Sequence, residues 1–359
     1  AIIMIIIAGI FLIGLDDNGN KLNTLSDTAY YKVGVISGGY RNNHAYTQAL
    51  YEDLESIKEE QALEIEFRDG VETHNVQDET ALLIEDGCNI IISATEEFQY
   101  EIKNLSHQYP TVYFFQYNGS KYAPNLVALR GRMYQASFLA GIIAGNVTKT
   151  NEIGYIAARN STDAIANINA FARGVDLINK DAVVKVSYCE SKEKYTESYS
   201  KAEELFDNSD IDIMTYYIDN LGACDVANKR GIKIIGHIMN VQDLYPENAV
   251  TSCEVDFATF FAEMISLCRQ EKLQGSFVWA GVETGIIGLS EIKNTEDIIY
   301  DTQITYEMKG IMSAGIWDVF SNEIRDNKGK VRVEDGEWMT DTEIINNMDW
   351  YVEGVEIYE

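Results

Sequence analysis

The chain has 359 residues with 28 Lys and Arg against 57 Asp and Glu, a formal charge of −29. Single cores stop growing at about 250–300 residues, so this length implies two domains. An apolar share of 46%, with 22 Tyr and 13 Phe, is ample to fill them and excludes wholesale disorder. The charge excludes nucleic acid and anionic lipid surfaces as main partners, because phosphate binding needs clustered Lys and Arg. Three prolines rule out a Pro-rich linker architecture. Cys88, Cys189, Cys224, Cys253 and Cys268 stand singly, with no CxxC, and are read as buried thiols acting as small hydrophobes. His44, His74, His107 and His237 are equally isolated, so neither a zinc or iron centre nor any cofactor is expected.

In chain order, residues 1–15 (AIIMIIIAGIFLIGL) form an unbroken apolar run ending at Asp16-Asp17. It has no polar face for a core helix and is shorter than the roughly 20 residues of a spanning helix. It is read as a signal peptide or an uncleaved membrane anchor. The polar residues 16–29 then read as a stalk. Past the stalk, short β-branched runs alternate with helical ones. Strands are predicted at 31–37, 63–67, 89–93, 111–116 and 126–129, and a second series at 153–158, 183–188, 211–216, 232–236, 249–252 and 277–280. Between them, Tyr46, Leu50, Leu54 and Ile57 share one helical face, and residues 133–147 (MYQASFLAGIIAGNV) read as a helix buried on most sides. Alternating strands and helices imply parallel sheets covered on both faces, and a break near residues 148–152 divides them into two lobes.

Open α/β sheets bind ligands outside the C-terminal strand ends. That rule selects the loops 37–46, 93–98, 216–220 and 237–240, rich in Tyr, Asn, Asp and Glu. Aromatic rings stack on flat solutes and carboxylates accept from hydroxyls, so these loops suit a neutral, hydroxylated, flat-ringed ligand. No catalytic set stands beside them. Ser37-Gly38-Gly39 is a plain strand-to-helix turn without GxGxxG, and neither GxxxxGK[ST] nor GxSxG occurs. The chain is therefore read as a binding protein and not an enzyme. Carboxylate pairs such as Glu96-Glu97 read as solvated surface in so acidic a chain, and Trp279 reads as core.

Several strings, in order and with sensible spacing from residue 31 to the end, resemble the basic membrane protein family of substrate-binding lipoproteins, which includes purine nucleoside receptors. AYTQALYEDL (45–54) resembles the family's SFNQxxxEGL helix start, and SFLAGIIAGNVTKTNEIGYIAA (137–158) its LAG helix and TKTxxIG hinge. NAFARGVDLIN (169–179), VWAGVETGIIGLSE (278–291) and the ending at 319–358, with its WYVEGV string, resemble further family segments. The resemblance implies a type I periplasmic-binding-protein fold of two Rossmann-like lobes with a hinge. It implies lobe 1 over 30–150 and 256–305, lobe 2 over 151–255 and 306–359, and hinge segments near 148–153, 252–257 and 306–314. It implies a small-molecule solute, an ABC permease and ATPase subunits as partners, and a place on the extracytoplasmic face of the cell membrane, or secretion if the first segment is cleaved. No Cys follows the apolar run to accept a lipid.

Carried over by position, the family's stacking Phe falls on Tyr46 and its neighbouring Asn on Thr47. The family's G-V-D-S-D segment, whose acids hold a ribose, falls on Gly236-His237-Ile238-Met239-Asn240, and its S-V-V-K lysine on Val255. Neither the acids nor the lysine carry over. Loop position and resemblance together nominate Tyr40, Asn43, Tyr46, Glu97, Phe98, Tyr217, Asp219, Asn220, His237 and Asn240 as ligand-binding. The alternative is a sensory ectodomain that binds a small ligand without transport; adjacent permease and ATPase genes favour transport, and a neighbouring kinase favours sensing.

Overall fold

The computed structural model describes residues 31–42, 45–158, 162–293 and 302–358. The apolar run, the stalk and Asn43 lie outside them. The first sheet is built from β1 (Tyr31–Ile36), β2 (Leu63–Arg68), β3 (Ile90–Ser93), β4 (Tyr113–Tyr117) and β5 (Leu126–Gly131). The second begins with β6 (Glu152–Ala158), β7 (Val183–Cys189), β8 (Ile213–Tyr217), β9 (Lys233–Ile238) and β10 (Ala249–Val255). β11 (Phe277–Ala280) then returns to the first sheet beside β5, and β12 (Ile287–Leu289) joins the second antiparallel to β10. A small hairpin of β13 (Ile324–Arg325) and β14 (Val331–Val333) precedes β15 (Val355–Tyr358), which lies parallel to β7. The orders are β11-β5-β4-β3-β1-β2 and β12-β10-β9-β8-β6-β7-β15. Strand interiors such as Ile90–Ser93 are wholly buried because helices cover both faces, which is why they read as continuous apolar runs.

The helices are α1 (Tyr46–Ile57), α2 (Val76–Glu85), α3 (Gln99–Gln108), α4 (Met133–Val147), α5 (Thr162–Ile178), α6 (Tyr195–Asp207), α7 (Gly222–Arg230), α8 (Phe257–Arg269), α9 (Gln303–Ser313) and α10 (Asp341–Asn347). α1 buries Leu50, Leu54 and Ile57 of the face marked by its 3.6-residue spacing, with Thr47 and Ala49 beside them, while Tyr46 is half-buried. α4 buries every residue except Asn146. Its burial comes from the second lobe, where it packs on α5, β10 and β12. The chain therefore leaves the first lobe between Gly131 and Met133, ahead of the expected 148–153 segment.

The second crossing lies between Val255 and Phe257, because α8 packs on α1 of the first lobe. The third lies between Ala280 and Ile287, where β11 of one sheet hands over to β12 of the other. That corrects both the boundary at 305 and the hinge expected at 306–314, which is the helix α9. The cause is pairing: residues 287–289 find an open edge on β10, a partner that local pattern cannot reveal. The five cysteines are buried free thiols. Among the described residues no helix is long and apolar enough to cross a membrane.

Candidate functional site

The C-terminal strand ends of the two sheets face each other across a cavity of about 420 Å³. The first lobe contributes Tyr46 at the start of α1, Glu96 and Glu97 after β3, Tyr117 and Asn118 from β4, Arg130 from β5 and Trp279 from β11. The second contributes Asp163 at the start of α5, Lys192 after β7, Tyr217 and Asp219 from β8, and His237 and Ile238 from β9. Each group sits at a strand end or helix start, where parallel strands stop pairing and helix N–H groups point outward.

The walls are aromatic. The rings of Tyr46 and Tyr117 lie 5.8 Å apart, those of Tyr217 and His237 4.7 Å apart, and the Arg132 guanidinium stands 4.9 Å over Trp279. Two cations sit among them. Arg130 is only 7% exposed; its Nη2 donates to Asp163 Oδ2 at 2.6 Å, and its Nη1 is 3.9 Å from Glu96. This pair crosses from the first lobe to the second. Lys192 Nζ lies 3.2 Å from Asp219 Oδ2 and 5.8 Å from the Tyr46 ring centre, a second contact between lobes. Burial works to lower the Lys192 ammonium, but the Asp219 carboxylate overcomes it and holds the pKa above the ordinary lysine value. Burial lifts the Glu96 carboxyl above its ordinary value, with Arg130 opposing.

At the floor the sheet opens. The β8–β9 ladder ends at Met214 and Ile234. Beyond it Thr215 Oγ1 donates to the Ile235 carbonyl at 3.1 Å, and the paired rings of Tyr217 and His237 lie at the diverging ends. Ile238 holds a φ of +71°. That is a left-handed conformation costing a β-branched residue on the order of 1–3 kcal/mol, a strain found where backbone is held for a ligand.

Of the nominated residues, Tyr46, Glu97, Tyr217, Asp219 and His237 line this cavity. Tyr40 and Asn220 line a separate groove of about 760 Å³ that shares Asp219 with it, and Tyr40 is 60% exposed. Asn220 is occupied structurally: its Oδ1 accepts from Ser198 Oγ at 2.5 Å and the Gly222 N–H at 2.9 Å, and its Nδ2 donates to the Lys192 carbonyl at 2.8 Å. Phe98 is buried in a satellite core with Ile36, Val76 and Ile102 and does not reach the cavity. Asn240 turns away to accept from the Gln242 N–H at 2.9 Å, as Asn does just after a strand. Sequence reasoning missed Arg130, Asp163, Lys192 and Trp279, and read Glu96 as surface. Arg130, at the end of β5, and Asp163, in the first turn of the helix that follows β6, do carry a signal, for they lie at strand-to-helix junctions to which the strand-end rule is not applied above. Among the described residues no group of three or more His, Cys, Asp or Glu is disposed to hold a metal ion.

Two α/β lobes with parallel sheets, crossed three times by the chain and closed over a polar aromatic cavity, define the two-lobe periplasmic-binding-protein fold. A solute-binding protein of an ABC transporter system from Conexibacter woesei superposes with a TM-score of 0.70 at 16% identity, covering 80% of this chain and 98% of that one. The model of the Bmp family, described as ABC transporter substrate-binding protein PnrA-like, matches residues 30–317. The chain belongs to that family. Its relatives include a purine-binding protein of Brucella abortus, 23% identical over 90% of this chain and 93% of the relative. Another is a putative ABC transporter glucose-binding protein of Haloferax volcanii, 24% identical over 82% and 72% respectively.

Proposed function

We propose that this protein is the extracytoplasmic solute receptor of an ABC importer, held at the membrane or exported by its apolar first segment. Its two lobes close on a nucleoside or a similar flat-ringed polar solute. The observation that carries the reading is the cavity itself, lined from both lobes by Tyr46, Tyr117, Tyr217 and Trp279 and by hydrogen-bonding side chains. A heteroaromatic ring can stack on the tyrosines, while hydroxyls donate to the carboxylates. Closure makes the filled receptor a different shape from the empty one, which is what a permease can recognise.

The solute is unphosphorylated on this reading. Glu96, Glu97, Asp163, Glu190 and Asp219 outnumber Arg130 and Lys192 around the cavity, and an added phosphate meets that excess. The name of the Brucella relative supports a purine. A thermal-shift screen against nucleosides, nucleobases, nucleotides, sugars and amino acids tests it. A ligand at 100 times its dissociation constant adds about 2.7 kcal/mol of stability, so a nucleoside hit is readily seen. If no purine or pyrimidine nucleoside shifts the transition, the nucleoside reading is lost; a sugar hit alone redirects it to the solute class named for the Haloferax relative.

A further inference from the structure

A second groove, of about 720 Å³, shares Tyr134, Trp279 and Ile344 with the solute cavity and is otherwise lined by different residues. Both lobes build it. Trp279 stands on β11 of the first, while Met312 of α9, Trp317, Phe320, Trp338 and Met339 belong to the second. Three of the four tryptophans of the chain therefore meet in one concavity. The Tyr134 ring lies 5.3 Å from Phe320 and 6.4 Å from Trp279, and Trp317 is anchored on Phe138 at 5.2 Å. Trp338 is 48% exposed, and among the described residues no ring or cation packs on its indole. The groove is also short of positive charge. Glu283, Asp318 and Asp341 line it against one cation, Arg132. The Arg132 guanidinium lies 4.9 Å over Trp279 and reaches Glu283 at 3.5 Å and Asp341 at 3.3 Å. Asp318 takes its hydrogen bonds from neutral donors: Gln135 Nε2 at 2.7 Å, the Tyr134 hydroxyl at 3.4 Å and the Val319 N–H at 2.5 Å.

We propose that this groove is a second ligand site, taking a small organic cation of the methylated-ammonium class. The face of an indole carries negative charge density and attracts a cation held within about 6 Å of the ring centre. The excess of carboxylates adds the long-range attraction that a neutral ring would not feel. Methyl groups on the nitrogen weaken its hydration and match the adaptable thioethers of Met312 and Met339. A bare ammonium or a metal ion would have to shed a tightly held water shell against the same walls. Arg132 over Trp279 shows the interaction already made once, within the chain. The inference does not depend on which solute fills the central cavity.

The test is calorimetric titration of the full chain with choline and with dimethylbutanol, its uncharged isostere with carbon in place of nitrogen. Wild type, Trp338→Ala, Trp338→Phe, Asp341→Asn and Tyr46→Ala are compared, with the melting temperature of each. Wild type should bind choline saturably and hold the uncharged alcohol at least tenfold more weakly, about 1.4 kcal/mol. Trp338→Ala should lose at least tenfold in choline affinity, and Trp338→Phe, which keeps a ring face, should recover part of it. Asp341→Asn, whose side chain is 58% exposed, should weaken choline severalfold, and it carries the test if Trp338→Ala melts early. Tyr46→Ala, which lies in the solute cavity and outside the groove, should bind choline as wild type does. The proposal is overturned if wild type does not bind choline, or binds the uncharged alcohol as tightly. It is also overturned if choline binding survives both Trp338→Ala and Asp341→Asn unchanged. Loss of choline binding in Tyr46→Ala overturns it too, because that places the cation in the solute cavity.

Discussion

Asp53 shows how a single side chain can be set by chain far away in sequence. Its Oδ2 accepts from the backbone N–H groups of Phe257 at 2.9 Å and Ala258 at 3.3 Å, so a residue of α1 caps the start of α8 at the second crossing. Burial lifts the Asp53 carboxyl to about 6 against the pull of those two donors. Glu254, just before the crossing, is pushed to about 7 by burial, with Asp53 and Asp256 adding repulsion. Both folded values lie above the unfolded ones, so between about pH 4 and 7 the native state holds the extra protons. The contribution of these groups is present at low pH and is lost as pH rises through 6 and 7. Melting temperature should therefore fall between pH 5 and pH 7.5, and Asp53→Asn with Glu254→Gln should flatten that fall. An unchanged slope in the double variant would assign it to other groups. Residue roles of this kind were legible only in part. Tyr46 and Asp219 stood in loops chosen by the strand-end rule. Asp53 looked like any acid of a surface helix, because its partners lie some 200 residues on.

At the scale of elements, the α4–α5 pair is the tightest packing in the second lobe. A Cβ placed on Gly141 would collide with the carbonyl oxygen of Phe171, and one on Gly174 with that of Phe138. Backbone meets backbone at this crossing. Gly141→Ala and Gly174→Ala should each destabilise the protein by about 1–3 kcal/mol or more, although Ala is the better helix former. Denaturant unfolding measures this; an Ala variant as stable as wild type would mean that the helices part freely. The spans of α1 and α4 were readable from spacing and composition, since a 3.6-residue face and a run of small apolar residues are local properties. The lobe that receives α4 was not readable. A helix apolar all round announces burial without naming its partner.

At the scale of the whole molecule, charged contacts bridge the two lobes on either side of Gly131. Arg130 pairs with Asp163 at 2.6 Å, and Arg132 with Asp341 at 3.3 Å. Both arginines come from the edge of the first lobe and both acids from helix starts of the second. The Arg130 pair lies inside the cavity, where it favours closure and sits beside the solute. Asp163→Asn leaves Arg130 buried with only Glu96 nearby, and a charged hydrogen bond of this kind contributes about 1.5–3 kcal/mol. The variant should bind the screened solute at least tenfold more weakly. In small-angle scattering it should give a larger radius of gyration than wild type when empty, and contract on saturation. Equal radii for the two empty proteins would remove the pair from the closure equilibrium. Replacing Tyr46 by Ala should weaken binding of the same solute at least tenfold, because its ring lines the cavity and faces Lys192 of the other lobe; calorimetric titration of the variant measures this.

Sequence by itself determined that this is a two-lobe α/β protein, where its principal strands and helices run, and which family it resembles. These follow from periodicity and from motifs that are contiguous along the chain. The tertiary structure decided where the chain crosses between lobes, because that depends on which open edge residues 287–289 find and on where α4 is buried. It also decided that Arg130, Asp163, Lys192 and Trp279 share one cavity with Tyr46 and His237. Hydrophobic patterning records whether a residue is buried. It does not record what faces that residue, and a binding site is defined by what its groups face.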